Sequence, residues 1–98
     1  MANEGTRDYE MVTILSPEAT EEDVTGTMER LDHLISGGGG SVSQRDSWGV
    51  RRLAFPVKKF REGNFLLTRF TLAPDAVAEV NRGLAASEDI IRFLVTTV

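Results

Sequence analysis

The chain contains no cysteine, so disulfides and thiolate metal sites are excluded outright. It has one histidine, His33, too few for a protein-only zinc site or a histidine-based triad. No apolar run approaches the roughly 18 residues that a membrane-spanning helix needs. The opening M-A-N-E-G-T-R-D lacks the basic-then-apolar order of a signal peptide and the Arg/Ser bias of a transit peptide, which leads us to expect a cytoplasmic protein. With 98 residues, 41% hydrophobic and 27% charged, the composition is that of a globular protein, and one domain over residues 1–98 is expected.

Basic charge is also scarce, with a net charge of −4, which taken alone argues against a polyanionic partner. Its distribution argues the other way. Residues 45–69 hold seven basic side chains (Arg45, Arg51, Arg52, Lys58, Lys59, Arg61, Arg69) against Asp46 and Glu62, a local +5, and the remainder of the chain carries −9. A Debye length of about 8 Å in physiological salt makes a local patch count for more than the total.

What is present alternates between two periods. Tyr9 to Leu15 is rich in β-formers, with apolar residues on both faces, and predicts a first strand. From Thr20 the period becomes helical: Val24, Met28, Leu31, Leu34 and Ile35 form one face, and Thr20 with Asp23 resembles a capping box. His33 falls off that face and reads as an exposed or half-exposed helix residue. Gly37 to Gly40 lie at the helix C-terminus, the wrong end of the dipole for an anion, and read as a glycine cap running into a turn. A long second strand is expected from about Val42 to Val57, with Trp48-Gly49 marking a bend or bulge and Pro56 requiring an edge or bulge. Within it Leu53, Phe55 and Val57 alternate with Ala54, Pro56 and Lys58 and are assigned to packing. Lys59 to Asn64 is expected to be a turn, and Phe65 to Leu72 a third strand. Pro74 and Asp75 open a second helix with Val77, Val80 and Leu84 inward, and Ile90 to Val98 forms the last strand.

The order β-α-β-β-α-β defines an α+β fold of the ferredoxin-like, split βαβ type, a four-stranded antiparallel sheet with two helices on one face. That fold serves many functions, so residues must decide. Metal carriers of this shape need a paired-thiol loop. An acylphosphatase-like enzyme needs an arginine-bearing phosphate loop after the first strand, where this chain has the acidic Ser16-Pro17-Glu18. The third strand, F-L-L-T-R-F, lacks the aromatic and glycine spacing of an RNA-recognition motif. No carboxylate pair or nucleophile–base set stands out. A non-enzyme without cofactor or metal is expected.

The stretch Trp48 to Lys59, W-G-V-R-R-L-A-F-P-V-K-K, resembles the signature of the sixth protein of the bacterial small ribosomal subunit, in which tryptophan-glycine and basic residues precede Leu-Ala-Tyr-Pro-Ile. Tyr9-Glu10, Ser16-Pro17, Gly63 and Ile90-Ile91-Arg92 also stand where that family has similar residues, so the resemblance covers nearly the whole chain. Phe55 departs from the usual tyrosine and loses a hydroxyl. The resemblance implies a structural ribosomal protein that binds the central domain of small-subunit ribosomal RNA together with small-subunit ribosomal protein eighteen.

On this reading Arg51, Arg52, Lys58, Lys59, Arg61 and Arg92 are the candidate RNA-binding residues, supplying phosphate contacts. Trp48, Leu67 and Leu94 are the candidate partner-binding residues on the uncovered sheet face. Two readings stay open for Trp48, a lid over the core and a stacking platform. A basic run beside a strand also serves simply as a solvated edge that discourages aggregation. The alternative function is a ligand-sensing dimer of the ACT type, with a small-molecule site at loops such as Gly37–Gly40.

Overall fold

In the computed structural model, which describes residues 5–98, the first strand, β1 (Arg7–Leu15), sets the layering. Tyr9, Met11, Thr13 and Leu15 alternate along it, and all four are buried. The remaining elements follow as α1 (Glu21–Gly37), β2 (Ser41–Val57), β3 (Phe60–Leu72), a 3-10 turn (Pro74–Ala76), α2 (Val77–Ala85) and β4 (Ile90–Thr97). The strands form one sheet in the order β2-β3-β1-β4, with every neighbouring pair antiparallel. This is the ferredoxin-like split βαβ arrangement that the sequence predicts.

Strand alternation decides which residues meet the helices. Tyr9 pairs with Phe70, Met11 with Thr68 and Thr13 with Leu66, and all of these side chains are buried. From the other layer Met28, Leu31 and Ile35 of α1 and Val80 and Leu84 of α2 close the same core. Tyr9 and Phe70 stack within it, with ring centroids 5.6 Å apart. On β4, Phe93 and Val95 pack against this core, while Leu94 between them is 62% exposed.

Helix α1 begins where its sequence says it should. The Thr20 hydroxyl accepts from the Asp23 amide at 3.1 Å, and the Asp23 carboxylate accepts from the Thr20 amide at 3.0 Å, a complete capping box. Its glycine-rich end serves packing: a Cβ at Gly40 would run into the Thr71 carbonyl. The Gly37–Gly40 run lets the chain pass directly from helix to sheet edge, which accounts for it without a ligand.

Two expectations are corrected. The turn placed at Lys59–Asn64 is tighter and earlier: Val57 pairs with Phe60, so Lys58 and Lys59 alone make it, and β3 already begins at Phe60. Leu53, Phe55 and Val57 are not core residues. Leu53 and Val57 are half-buried and Phe55 is 65% exposed. The physical reason is a large bulge. Arg52 pairs with Glu62 and Val57 with Phe60, so four residues of β2 stand opposite Arg61 alone. The bulge breaks the register that a regular period-two strand would keep.

Replacement by alanine separates the two phenylalanines. Phe70→Ala is expected to lower unfolding free energy by about 3–5 kcal/mol, the range for deleting a buried aromatic ring. Phe55→Ala should change it by no more than about 0.5 kcal/mol, as for a surface site. Urea unfolding of both variants checks this, and a comparable loss at Phe55 would return the bulge to the core.

Candidate functional site

Both helices lie on one side of the sheet, and the described residues leave the other side open. Three rows of side chains cross it, as the register shows. Leu67, Val12 and Leu94 stand in line on β3, β1 and β4. Phe65, Ile14 and Arg92 form the next row towards one end, and Arg69, Glu10 and Thr96 the row towards the other. The last of these is electrically closed, because Arg69 bonds Glu10 at 2.8 Å. The open face is therefore apolar in the middle, neutralised at one end and cationic at the other.

Trp48 belongs to this face. The β2–β3 register slips between Ser47 and Gly49, and Gly49 adopts a φ of +78°, a backbone conformation that glycine accepts without steric cost. The bulge turns the indole onto Phe65, with ring centroids 6.4 Å apart and planes 18° from parallel. Trp48 remains 42% exposed. The Arg51 guanidinium lies 6.0 Å from the indole centroid and donates from Nε to the Trp48 carbonyl at 3.2 Å. Trp48 is thus a surface platform of the open face and not a lid over the core.

Beyond Trp48 the β2–β3 hairpin carries the cations. No acid occurs between Asp46 and Glu62. Lys58 and Lys59 form the two-residue turn with φ of 50° and 69°, the left-handed conformation of a type I′ connection, which ordinarily draws Asn-Gly. Leu53, Ala54, Phe55 and Val57 line a notch of about 260 Å³ together with Ile14 and Arg92. The bulged segment therefore folds over the end of the open face, which explains why Ile14, on the helix-free side, is only 9% exposed. It also brings Arg92, far away in sequence, beside the hairpin.

The structure divides the basic cluster. Arg45 bonds Asp32 of α1 at 2.6 Å and donates to the Thr68 hydroxyl, so it ties β2 to the helix layer. Arg69 is held by Glu10. Among the described residues, Arg51, Arg52, Lys58, Lys59, Arg61 and Arg92 take part in no ion pair. All six candidate RNA-binding cations are exposed, and no acid among the described residues pairs with them. Of the three candidate partner-binding residues, Trp48, Leu67 and Leu94 all fall on the open face, Leu67 half-buried and Leu94 exposed. Sequence reasoning missed Phe55, whose exposure comes from the bulge. Pro56 beside it was the one signal available, since proline inside a strand marks an edge or a bulge.

No group of three or more metal-ligating side chains occurs among the described residues. The described residues thus leave a partly apolar sheet face that runs into cations with no acidic partner among them. Residues 8–97 match the family model for ribosomal protein S6, and the chain belongs to that family, whose members are structural proteins and not enzymes. It is 39% identical to small ribosomal subunit protein bS6 of Moorella thermoacetica, over 92% of each chain. It is 40% identical to the protein of that name from Heliobacterium modesticaldum, over 91% of this chain and 93% of the relative. The crystal structure of 30S ribosomal protein S6 from Thermotoga maritima superposes with a TM-score of 0.88 at 26% identity, covering 95% of this chain and 88% of that one.

The lysine turn gives a prediction. Positive φ costs a non-glycine residue roughly 1–2 kcal/mol, so Lys58→Asn combined with Lys59→Gly should raise unfolding free energy by about 1 kcal/mol. Chemical denaturation measures it; no gain would mean that other interactions of the lysines hold the turn in its present form.

Proposed function

We propose that this chain is a structural constituent of the small ribosomal subunit, in the bacterial cytoplasm, that binds small-subunit ribosomal RNA in its central domain together with small-subunit ribosomal protein S18. In this reading Arg51, Arg52, Lys58, Lys59 and Arg61 of the hairpin, with Arg92 beside them, meet RNA phosphates. Trp48, Leu67 and Leu94 seat the protein partner on the open face. The observation that carries the reading is the continuity of the two surfaces: the hairpin folds over the end of the open face, so its cations flank the apolar rows. One composite surface can then take a protein and an RNA side by side.

Charge explains why the two ligands would bind together. A chain of net charge −4 gains little from long-range attraction to RNA, and its useful cations are confined to one end. A basic protein held on the open face would add to that positive field. Family membership favours this reading over the ligand-sensing dimer, and the packing of Gly40 against Thr71 gives the glycine run a role that needs no small molecule.

Reversing Arg51, Arg52, Lys58 and Lys59 to glutamate is expected to leave the circular dichroism spectrum unchanged and to weaken joint binding to RNA and S18. The dependence of log affinity on log salt should flatten by about one unit for each phosphate that the variant no longer neutralises. Unchanged affinity and slope would remove the hairpin from the RNA interface. In a separate experiment, Leu94→Asp should weaken capture of S18 at least about tenfold without RNA present, since it buries a charge in an apolar interface; undiminished capture would place the partner elsewhere.

A further inference from the structure

We propose that Phe55 is a base-stacking side chain, presented by the hairpin to an unpaired nucleotide; this rests on the RNA-binding reading above and adds to it an interaction of a different kind. Phe55 is an aromatic ring, 65% exposed, at the centre of a segment whose charged residues are all basic: Arg51 and Arg52 before it, Lys58, Lys59 and Arg61 after it. Exposed aromatic rings interleaved with cations are how proteins hold single-stranded nucleic acid, the cations following the backbone and the rings receiving base faces.

The backbone presents the ring at low entropic cost. Four residues of β2 stand opposite Arg61 alone, so the chain bulges outward at Phe55. The residue before a proline is confined to extended conformations, and Pro56 so restricts Phe55. Leu53 and Val57 on either side are half-buried and share a notch with Ile14 and Arg92, which anchors the base of the bulge while the ring stays in solvent.

Charge selects the class of partner. A basic protein approaching this segment would meet unpaired like charges on both sides of the ring, whereas RNA brings phosphates to the cations and a base to the ring. Only unpaired bases offer a free face, because those within an RNA helix are already stacked. The expected target is therefore a loop, bulge or strand end.

The test measures affinity for the central-domain fragment of small-subunit ribosomal RNA with S18 present, comparing the natural chain with Phe55→Ala, Phe55→Leu and Phe55→Tyr. Alanine should weaken binding about 5- to 150-fold, the range that removal of one base–aromatic stack gives, with the salt slope unchanged because every phosphate stays neutralised. Tyrosine should restore affinity and leucine, which keeps the apolar bulk but not the π-face, should not. Capture of S18 without RNA should be unaffected by all three. Rescue by leucine, or full affinity in the alanine variant while the natural chain binds, overturns the stacking role alone. Weakened capture of S18 by the alanine variant overturns it too, assigning Phe55 to the protein partner instead. Failure of the natural chain to bind RNA with S18 overturns the underlying reading and the stacking role with it.

Discussion

Two helices can cover one face of a four-stranded sheet, and the other face must then be solvated or given to a partner. Here Met11, Thr13, Leu66 and Phe70 point into the helix layer and are buried, so strand alternation forces Val12, Leu67 and Leu94 onto the opposite side. A free-standing protein would make that side polar. This one does so only at its ends, where Glu10 and Arg69 neutralise each other and where Arg92 stands exposed. Val12 and Leu67 stay half-buried and Leu94 exposed on that side, with no helix of the described residues over them.

The hairpin applies the same constraint in a second way. β2 is an edge strand, so it can lose pairing without breaking the sheet, and it carries both the slip at Trp48-Gly49 and the four-to-one bulge at Leu53–Pro56. These two, unlike the smaller slip at Ser43, each place an exposed aromatic ring beside arginine or lysine. Pro56, which would disrupt a central strand, falls within the bulge. Edge irregularities commonly discourage association between sheets; here they also aim side chains. Arg45 and Arg69, away from the hairpin tip, are held by Asp32 and Glu10, while the cations at the tip keep their charge available.

Much of this is legible in the sequence, and the parts that are not have a common cause. Periodicity locates β1, both helices and β4, because each keeps one period over most of its length. The face of Arg92 and Leu94 follows from the same alternation, with Phe93 and Val95 turned to the core. Where β2 slips, alternation stops carrying information: Leu53, Phe55 and Val57 read as one buried stripe, yet the bulge exposes Phe55. The turn escapes sequence reasoning because Lys58-Lys59 has none of the glycine or asparagine that its positive φ values ordinarily demand. Charge counting finds the basic region but does not reveal that Arg45 reaches Asp32 of a helix distant in sequence, or that folding adds Arg92 to the cluster.

The most direct measurement uses a feature of composition. Lys58 and Lys59 are the chain's only lysines, and both are exposed at the hairpin turn. Amine-specific modification, read by mass spectrometry, can therefore compare the hairpin in the free protein and in assembled small ribosomal subunits. Both lysines should react readily in the free protein and be strongly protected in the subunit. Equal reactivity in the two states would contradict an RNA-facing hairpin and, with it, the composite surface on which the account rests.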